Sequence, residues 1–596
     1  MWHDNRAMYL RTVKVRSSSG VVHEYVRIVE AHRQDGKARQ RVVADLGRKD
    51  LLAALLPKLQ RLLAGDAAIA GQEDVADVRV LEAATWGPML VVQALVKELG
   101  LLGIFQKTLR GKAEKVKGQI PISPAEFALV LIANRLIHPG SEHALAGWLE
   151  SDWVCDSQGR RLRPCWKTSG RVKVDLAQLS RWYRVVSRLG RIKDPVEVAL
   201  YGRLRDLFSL KVDLVLYDIT STYFEGAGPE GLARCGYSRD QRKHNPQVVV
   251  GVVMAGGWPI AHHVWAGNTV DVSTVRPMVK DLQQRFGLGR VIFVGDRGMV
   301  SRANLEELVK EGHGYLVGLR RRDNPKVDGW LLKVQEDQWT QCPAGIATRE
   351  RKEPLVTRVQ EIDSGEAGLR VFVIDSQERR EYEQAQRVKC MERARKKLES
   401  LAKRVEAGGI TDAEQIGAAV TRCLAPHHGH RYFGWRLAEG RLEFFEDEAK
   451  LGVEKRLEGR YVLATSEASF GLLDAVAGYK QLSEVERGFR SMKDVIAMRP
   501  IWHHSEDAVK GHIFVAALAL LVERLLERRL KEAGVDLSAR AALQALQTLR
   551  YVRFQVGDRV HTGTTVGSAQ ARQVVRALGI DNLRPPTPPK GEETVV

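Results

Sequence analysis

The chain has 596 residues, too many for one hydrophobic core, so about three or four domains are expected. Its 92 Lys+Arg against 73 Asp+Glu leave a formal net charge of +19, which favours a polyanionic partner, either nucleic acid or an anionic membrane. The longest apolar run, Ile513–Val522, is too short to span a bilayer, the start MWHDNRAMYLRTVKV has no apolar signal core, and the six cysteines (155, 165, 235, 342, 390, 423) form no C-x-x-C pair; this argues against a membrane partner, a disulfide framework and a zinc site, and for a reducing cytoplasm.

Residues 8–46 alternate as strands at Met8–Val15, His23–Val29 and Arg39–Ala44, separated by the turn residues Ser17–Gly20 and Gln34–Gly36. They predict a small basic antiparallel sheet, either a DNA-contacting element or a platform for the helices behind it. Residues 50–65 and 85–110 read as helices. Ser123-Pro124-Ala125-Glu126 is a capping box with Pro at N1, opening a helix to Ile137 that stops at His138-Pro139-Gly140. Ser141 is placed to cap a second helix through Leu149. A helix–turn–helix with its second helix in a DNA groove competes here with a packed helical hairpin. The inward spacing of Ala144, Leu145, Trp148 and Leu149 favours the hairpin. Residues 172–209 add two more helices.

Two strand-like runs then end in aspartate: Val212–Thr220, carrying Asp218, and Val291–Asp296, followed by Arg297-Gly298. Side chains alternate along a strand, so Leu214, Leu216 and Asp218 share a face, as do Ile292, Val294 and Asp296. Near-continuous apolar runs suit strands buried on both faces. A charge at the end of such a strand is costly unless something pairs with it, and a divalent metal would. Between the two runs lie a polar loop, Tyr237–Pro246, with Arg239, Arg242 and Lys243, a hairpin of Gln247–Met254 and Trp258–Trp265 around Ala255-Gly256-Gly257, and a helix over 274–286. The loop cations are a solvated charge run or a grip on a DNA backbone, which would position DNA without reading its sequence. Asp271 competes as the second carboxylate but stands just before a helix, where Asp serves as a cap. A helix from Asn304 to Glu311 follows Asp296.

Lys326–Val373 reads as short strands with turns and Gln377–Ala407 as one long helix. Met391, Ala394, Leu398, Leu401 and Val405 repeat along that helix like a coiled-coil seam. Gly408-Gly409 breaks it, Asp412–Cys423 returns as a second helix, and 431–449 reads as a hairpin. This stretch is either a solvated helical hairpin or a DNA clamp or dimer arm. Arg460–Thr465 is a strand. In Gly478–Asp494, Tyr479, Leu482, Glu486, Phe489, Arg490 and Lys493 fall on one helical face. Glu486 with Arg490 one turn on is by itself an ordinary surface ion pair. Set beside two strand-end aspartates, it completes an oxygen-ligand set that can hold two Mg²⁺ ions ~4 Å apart, the arrangement that promotes in-line displacement at phosphorus. Ser505–Ala533 is a helix apolar almost all round near its middle. His503, His504 and His512 are spaced too irregularly for a metal site and suit capping or core roles. The proline-rich tail, Arg584–Val596, is expected to be disordered.

At these residues the chain resembles a bacterial insertion-sequence transposase of the DDE class with a ribonuclease-H-like core. The branch it is similar to carries a Y-x2-R-x3-E-x6-K motif and a long insertion before the Glu. Tyr479, Glu486 and Lys493 match in type and spacing, Asp218 within DITSTYFEG and Asp296 within GDRGM match the two Asp motifs, and Leu482 stands where the pattern has Arg. The resemblance covers Met8 to about Arg550, and Met8 opens a family-like MYLRTVKV, so the first seven residues are expected to be an extension. It implies a multidomain α/β chain: a ribonuclease-H-like mixed sheet flanked by helices, interrupted by an inserted α+β domain, after an N-terminal strand-plus-helix DNA-binding region. The expected divisions are 1–50, a β element; 51–205, helical; 206–320 and 456–535, the two parts of the core; 321–455, the insertion; and 536–596, a C-terminal helix, strand and disordered tail. The implied activity is binding of terminal inverted repeats, cleavage, and joining of 3′-OH ends to target DNA, with Asp218, Asp296 and Glu486 holding two Mg²⁺, Mn²⁺ able to substitute. Tyr479 and Lys493 are implied to contact phosphates of the bound end. Arg490 either does the same or pairs with Glu486, and Arg297 is a further candidate. A homodimer on double-stranded DNA, at the nucleoid, is implied as well. A nuclease that cuts without joining and a catalytically inactive DNA-binding regulator remain as alternatives, the latter kept open by Leu482.

Overall fold

A computed structural model describes residues 8–16, 22–34, 37–50, 52, 78–110, 120–164, 176–210, 212, 214–296, 298–299, 301–319, 324–343 and 355–595. Nearly all of the helix expected over 50–65 lies outside these residues, as does Arg297. The chain divides into two compact units, one gathering Met1–Lys211, Ile219–Thr269 and Glu486–Val596, the other Val212–Asp218 and Val270–Val485.

In the first unit, Met8–Arg16, Val22–Gln34 and Lys37–Arg48 pair as the expected antiparallel sheet. Val78–Thr85 pairs with Arg550–Val556, and that strand with Arg559–Thr564, joining two stretches remote in sequence. Half of the capping box forms: Ser123 Oγ accepts from the Glu126 N–H at 3.2 Å, with Pro124 opening the helix Pro124–Ile137, while the Glu126 carboxylate accepts from the Ser157 N–H and hydroxyl. Ser141 caps only a turn, accepting from the Ala144 N–H, and the next helix begins at Leu145. Of the residues expected to face inward, Leu145, Trp148 and Leu149 are buried, as is Ala146, whereas Ala144, before the helix begins, is exposed. The core is built round the helix Glu506–Glu532, capped by Ser505 and buried on nearly every side from Ile513 to Leu526. It crosses Leu176–Arg191 closely. A Cβ on Gly190 would stand 2.1 Å from the Asp507 carbonyl oxygen, and one on Gly511 1.9 Å from that of Val186, so only glycines permit the crossing. The hairpin Gln247–Ala255 and Trp258–Ala266 turns at Gly256-Gly257, both at positive φ.

The proline-rich tail is ordered, contrary to expectation. Thr594–Val595 pairs in parallel with Arg161–Leu162, and Val595 is fully buried. A strand ladder and one buried apolar side chain outweigh the composition. Among the described residues no single helix is long and apolar enough to cross a membrane; Gly87–Glu98 and Leu101–Thr108 meet length and composition only as a pair bent by 67°.

The second unit is a mixed sheet with helices. Its strands run in the order Thr340–Gln341, Thr357–Ile362, Arg370–Ser376, Arg460–Thr465, Gly314–Gly318, Ile292–Gly295 and Leu214–Tyr223, the last strand continuing into the first unit beyond Asp218. The last three are mutually parallel and the others antiparallel. This corrects the expected start of the insertion. The stretch read as short strands contains a helix, Pro325–Leu332, and its strands extend the main sheet by pairing with Arg460–Thr465. The elements that leave the sheet begin at the helix Gln377–Glu406. Its seam residues Met391, Ala394, Leu398, Leu401 and Val405 are all buried against Ile416, Val420 and Leu424 of the helix Ala413–Leu424 and Phe433 and Leu442 of the hairpin Phe433–Ala438/Arg441–Glu446. The seam therefore closes a core of its own chain.

Candidate active site

Asp218 lies on, and Asp296 directly follows, one of two neighbouring parallel strands. Leu214 pairs with Ile292, Val215 with Phe293 and Leu216 with Val294 in a parallel ladder. The second strand ends at Gly295, so Asp296 is the first residue past it, while the first strand runs on through Asp218 to Tyr223; alternation puts Asp218 on the face of Leu214 and Leu216. Val215, Leu216, Tyr217, Phe293 and Val294 are buried, whereas Asp218 is half-buried and Asp296 exposed. The apolar runs thus fix the strands in the sheet; Asp296 follows its strand's C-terminal end as expected, whereas Asp218, expected at a strand end, sits mid-strand because the strand continues to Tyr223. Asp271, the competing carboxylate, opens a 3₁₀ turn instead of ending a strand.

Tyr479 belongs to the same unit, on the helix Leu472–Lys480, and its hydroxyl donates to Asp296 Oδ1 at 3.2 Å. Two glycines admit it. A Cβ on Gly318 would lie 2.3 Å from the Tyr479 hydroxyl oxygen, and one on Gly478 would press on Leu316 and Leu214 at 3.3 and 3.4 Å. Gly478 sets how closely the helix approaches the strands, and Gly318 leaves room for the ring.

The stretch expected as one helix through Glu486 is broken. Leu472–Lys480 ends at Gln481, a second helix spans Leu482–Arg490, and a π turn, Ser491–Val495, follows with the Ile496 N–H donating to the Ser491 carbonyl. The shared face divides as well. Leu482, Val485, Phe489 and Met492 are buried and form the apolar stripe, while Glu486 and Arg490 flank it, exposed. Among the described residues Glu486 makes no ion pair with Arg490. Leu482, standing where the resembled pattern has Arg, is 7% exposed and acts as a core residue.

Lys493 lies in the π turn and in the same unit as the polar loop. Asp240 Oδ1 accepts from Lys493 Nζ at 2.8 Å and from Arg499 Nη1 at 2.6 Å, and Arg499 Nη2 donates to Asp494 at 2.5 Å. Burial lowers the Lys493 pKa, and its bond to Asp240 opposes that shift. The loop is held by the Arg239 N–H donating to Ser221, the Arg242 N–H to Ser238 and the Asn245 side chain to the Phe224 carbonyl. The Arg239 and Arg242 guanidinium groups lie 5.7 and 5.6 Å from the Tyr237 and Tyr223 rings, and Lys243 is exposed. Sequence reasoning passed over Asp240 because it sits alone in a run that reads as cationic. Gly318 carried no signal at all, since its role depends on a helix that follows far later.

Also in the first unit, Glu142, His503 and His512 are buried with ligand atoms within 4.8 Å of one another. A metal does not fit there. Arg135 Nη2 donates to His512 Nδ1 at 3.1 Å and stands 3.8 Å from Glu142, so a bound cation would face a buried guanidinium. With Nδ1 accepting, His512 Nε2 donates to the Met498 carbonyl at 2.9 Å. Arg135 Nη1 donates to the Ala497 carbonyl at 3.0 Å. His512 and Arg135 thus hold the backbone that follows the π turn, a core role.

Residues 213–522, just over half of the chain, match the family model described as transposase DDE domain. Residues 10–77 match the model described as IS1634 family transposase, N-terminal domain. No curated protein matches the chain in sequence.

Proposed function

The chain belongs to the DDE transposases of insertion sequences, and on that premise we propose that it binds the terminal inverted repeats of its element, cleaves the DNA there and joins the 3′-OH ends to target DNA. The observation that supports this reading is that the strand bearing Asp218 pairs in parallel with the strand that Asp296 follows. Asp218, Asp296 and Glu486 would hold two Mg²⁺, with Mn²⁺ able to substitute. The donor set fits, being three carboxylates offering hard oxygen ligands. Bound there, the ions would supply Lewis-acid stabilisation of the attacking and leaving oxygens at phosphorus.

The chain's residues do the rest. Tyr479 orients the Asp296 carboxylate through its hydroxyl. Lys493 and Arg490, either side of the π turn's start, hold phosphates of the bound end. Arg239, Arg242, Lys243 and Arg297 grip the DNA backbone, so their contacts position the duplex without reading bases. No side-chain nucleophile is required, because water and then a DNA 3′-OH attack phosphorus. Two ends must be held at once, which calls for a homodimer on DNA at the nucleoid.

The test is a duplex carrying the inverted repeats that flank the reading frame, incubated with Mg²⁺ and a target plasmid. Cleavage with joining is expected. Cleavage alone would make the chain a nuclease, and binding alone a regulator, and either overturns the joining reading. Asp218→Ala, Asp296→Ala and Glu486→Ala should each reduce cleavage to background while leaving end binding largely intact, as should chelation of the metal. Full activity in any one variant removes that residue from the triad.

A further inference from the structure

We propose that Asp240 is a positioning residue for Lys493, holding its ammonium group in place for a phosphate of the bound DNA end. The inference rests on the phosphate role given to Lys493 above. The bland alternative is a stabilising ion pair, and the geometry suits that poorly. The Asp240 side chain is 4% exposed and that of Lys493 11%, so both groups are withdrawn from water. A buried pair is weak evidence for stability, because desolvation offsets the attraction unless every lone pair is used. Here they are not all used. One oxygen, Oδ1, takes both Lys493 and Arg499, while Oδ2 is buried and makes no hydrogen bond among the described residues. Arg239 adds a third cation to the electrostatic surroundings of Lys493. One buried carboxylate and the exposed Asp494 thus face three cations, a surplus that suits a further anion.

Both partners are held rigidly. The Asp240 loop is stapled at Ser221, Ser238 and Phe224, and Gln241 turns it at a φ of 58°. Lys493 sits in the one π turn among the described helices, where an extra residue in the turn re-aims its side chain. A free lysine loses much of its rotamer freedom when it is ordered. Asp240 spends one of the three ammonium donors and supplies that order before DNA arrives, leaving the others for phosphate oxygens.

The test uses the full chain, with Asp240→Asn, Lys493→Ala and the double variant. End-duplex and random-duplex binding are measured against salt, with the rate of end cleavage in Mg²⁺. Simple electrostatics says that removing a negative charge tightens DNA binding. The proposal requires the opposite for the end duplex: Asp240→Asn should bind it several-fold more weakly than the parent, lower the salt slope as Lys493→Ala does, and cut about tenfold more slowly. Adding Asp240→Asn to Lys493→Ala should change nothing further, and Asp240→Glu should restore part of the loss. Tighter end binding at undiminished cleavage would overturn the proposal, and so would effects of the two substitutions that multiply, the mark of a structural role. If the parent chain binds its ends and fails to cut, the function proposed above falls while the binding arms still decide the role of Asp240.

Discussion

At Gly318 a methyl group would meet the Tyr479 hydroxyl oxygen at 2.3 Å and Cζ at 3.0 Å, far inside contact distance. The ring would have to move, and its hydroxyl would leave Asp296. Gly318→Ala is therefore expected to slow end cleavage by roughly ten- to a hundredfold, the cost of an ångström-scale displacement at a reacting centre. Binding of the end duplex should change little, and Tyr479→Phe should reproduce most of the loss. A Gly318→Ala chain that cuts at the parent rate would show that the tyrosine hydroxyl does not govern the carboxylate. Single residues also mark how far pattern reading reaches. The strands bearing or preceding Asp218 and Asp296 were legible because their apolar runs are conspicuous, although the first continues past Asp218 to Tyr223. Gly318 and Asp240 were not, because each matters only through a side chain that sequence distance hides.

The helix Leu482–Arg490 shows what an element can hide. Its spacing placed Leu482, Glu486 and Phe489 together, yet the apolar stripe claims the first and third and leaves Glu486 on the flank. The π turn after it was not foreseeable from periodicity, because a period of 3.6 assumes an unbroken turn. Restoring the resembled pattern with Leu482→Arg is accordingly expected to fail as a gain of function. It would bury an unpaired guanidinium at a 7% exposed position, costing about 3 kcal/mol, to be read as a lowered denaturant midpoint with no faster cleavage. An unchanged midpoint would mean that the side chain reaches water. The long helix Gln377–Glu406 is the converse case. Its five seam residues were read correctly, and Leu398→Ala should destabilise the second unit by about 2–5 kcal/mol, measured by denaturation.

Across the whole molecule, the buried Arg135–Glu142–His503–His512 network sets a pH response. His512 is held down to about 3 from 6.5 by burial and then by Arg135. For Glu142 burial pushes upward, but the His503 hydrogen bond and the nearby cations outweigh it and hold the carboxyl at about 2 against 4.5. Both groups have folded values below their unfolded ones. The unfolded chain therefore binds more protons between the two values, and stability rises with pH. The contribution of His512 is complete above 6.5 and falls as pH drops towards 3, while that of Glu142 falls between 4.5 and 2. Denaturant midpoints should decline from about pH 6.5 downward, and His512→Gln should flatten that decline whatever it does to the midpoint itself. An equal slope in the variant would place the response elsewhere.

Sequence alone determined the elements whose signals are local: the Ser123 cap, the Gly256-Gly257 hairpin, the seam of the long helix, and the two apolar runs that form the strands at Leu214 and Ile292. Each depends on residues within a few turns or pleats of one another, so spacing carries the information. Tertiary structure decided what depends on remote partners. It paired Leu214–Leu216 in parallel with Ile292–Val294, joined the strands after Thr357 to the main sheet, pinned the proline-rich tail at Arg161–Leu162, and gave Lys493 to Asp240. Pairing register and ion-pair choice are selected by the packing that surrounds both partners, and no local pattern records which distant residue that will be.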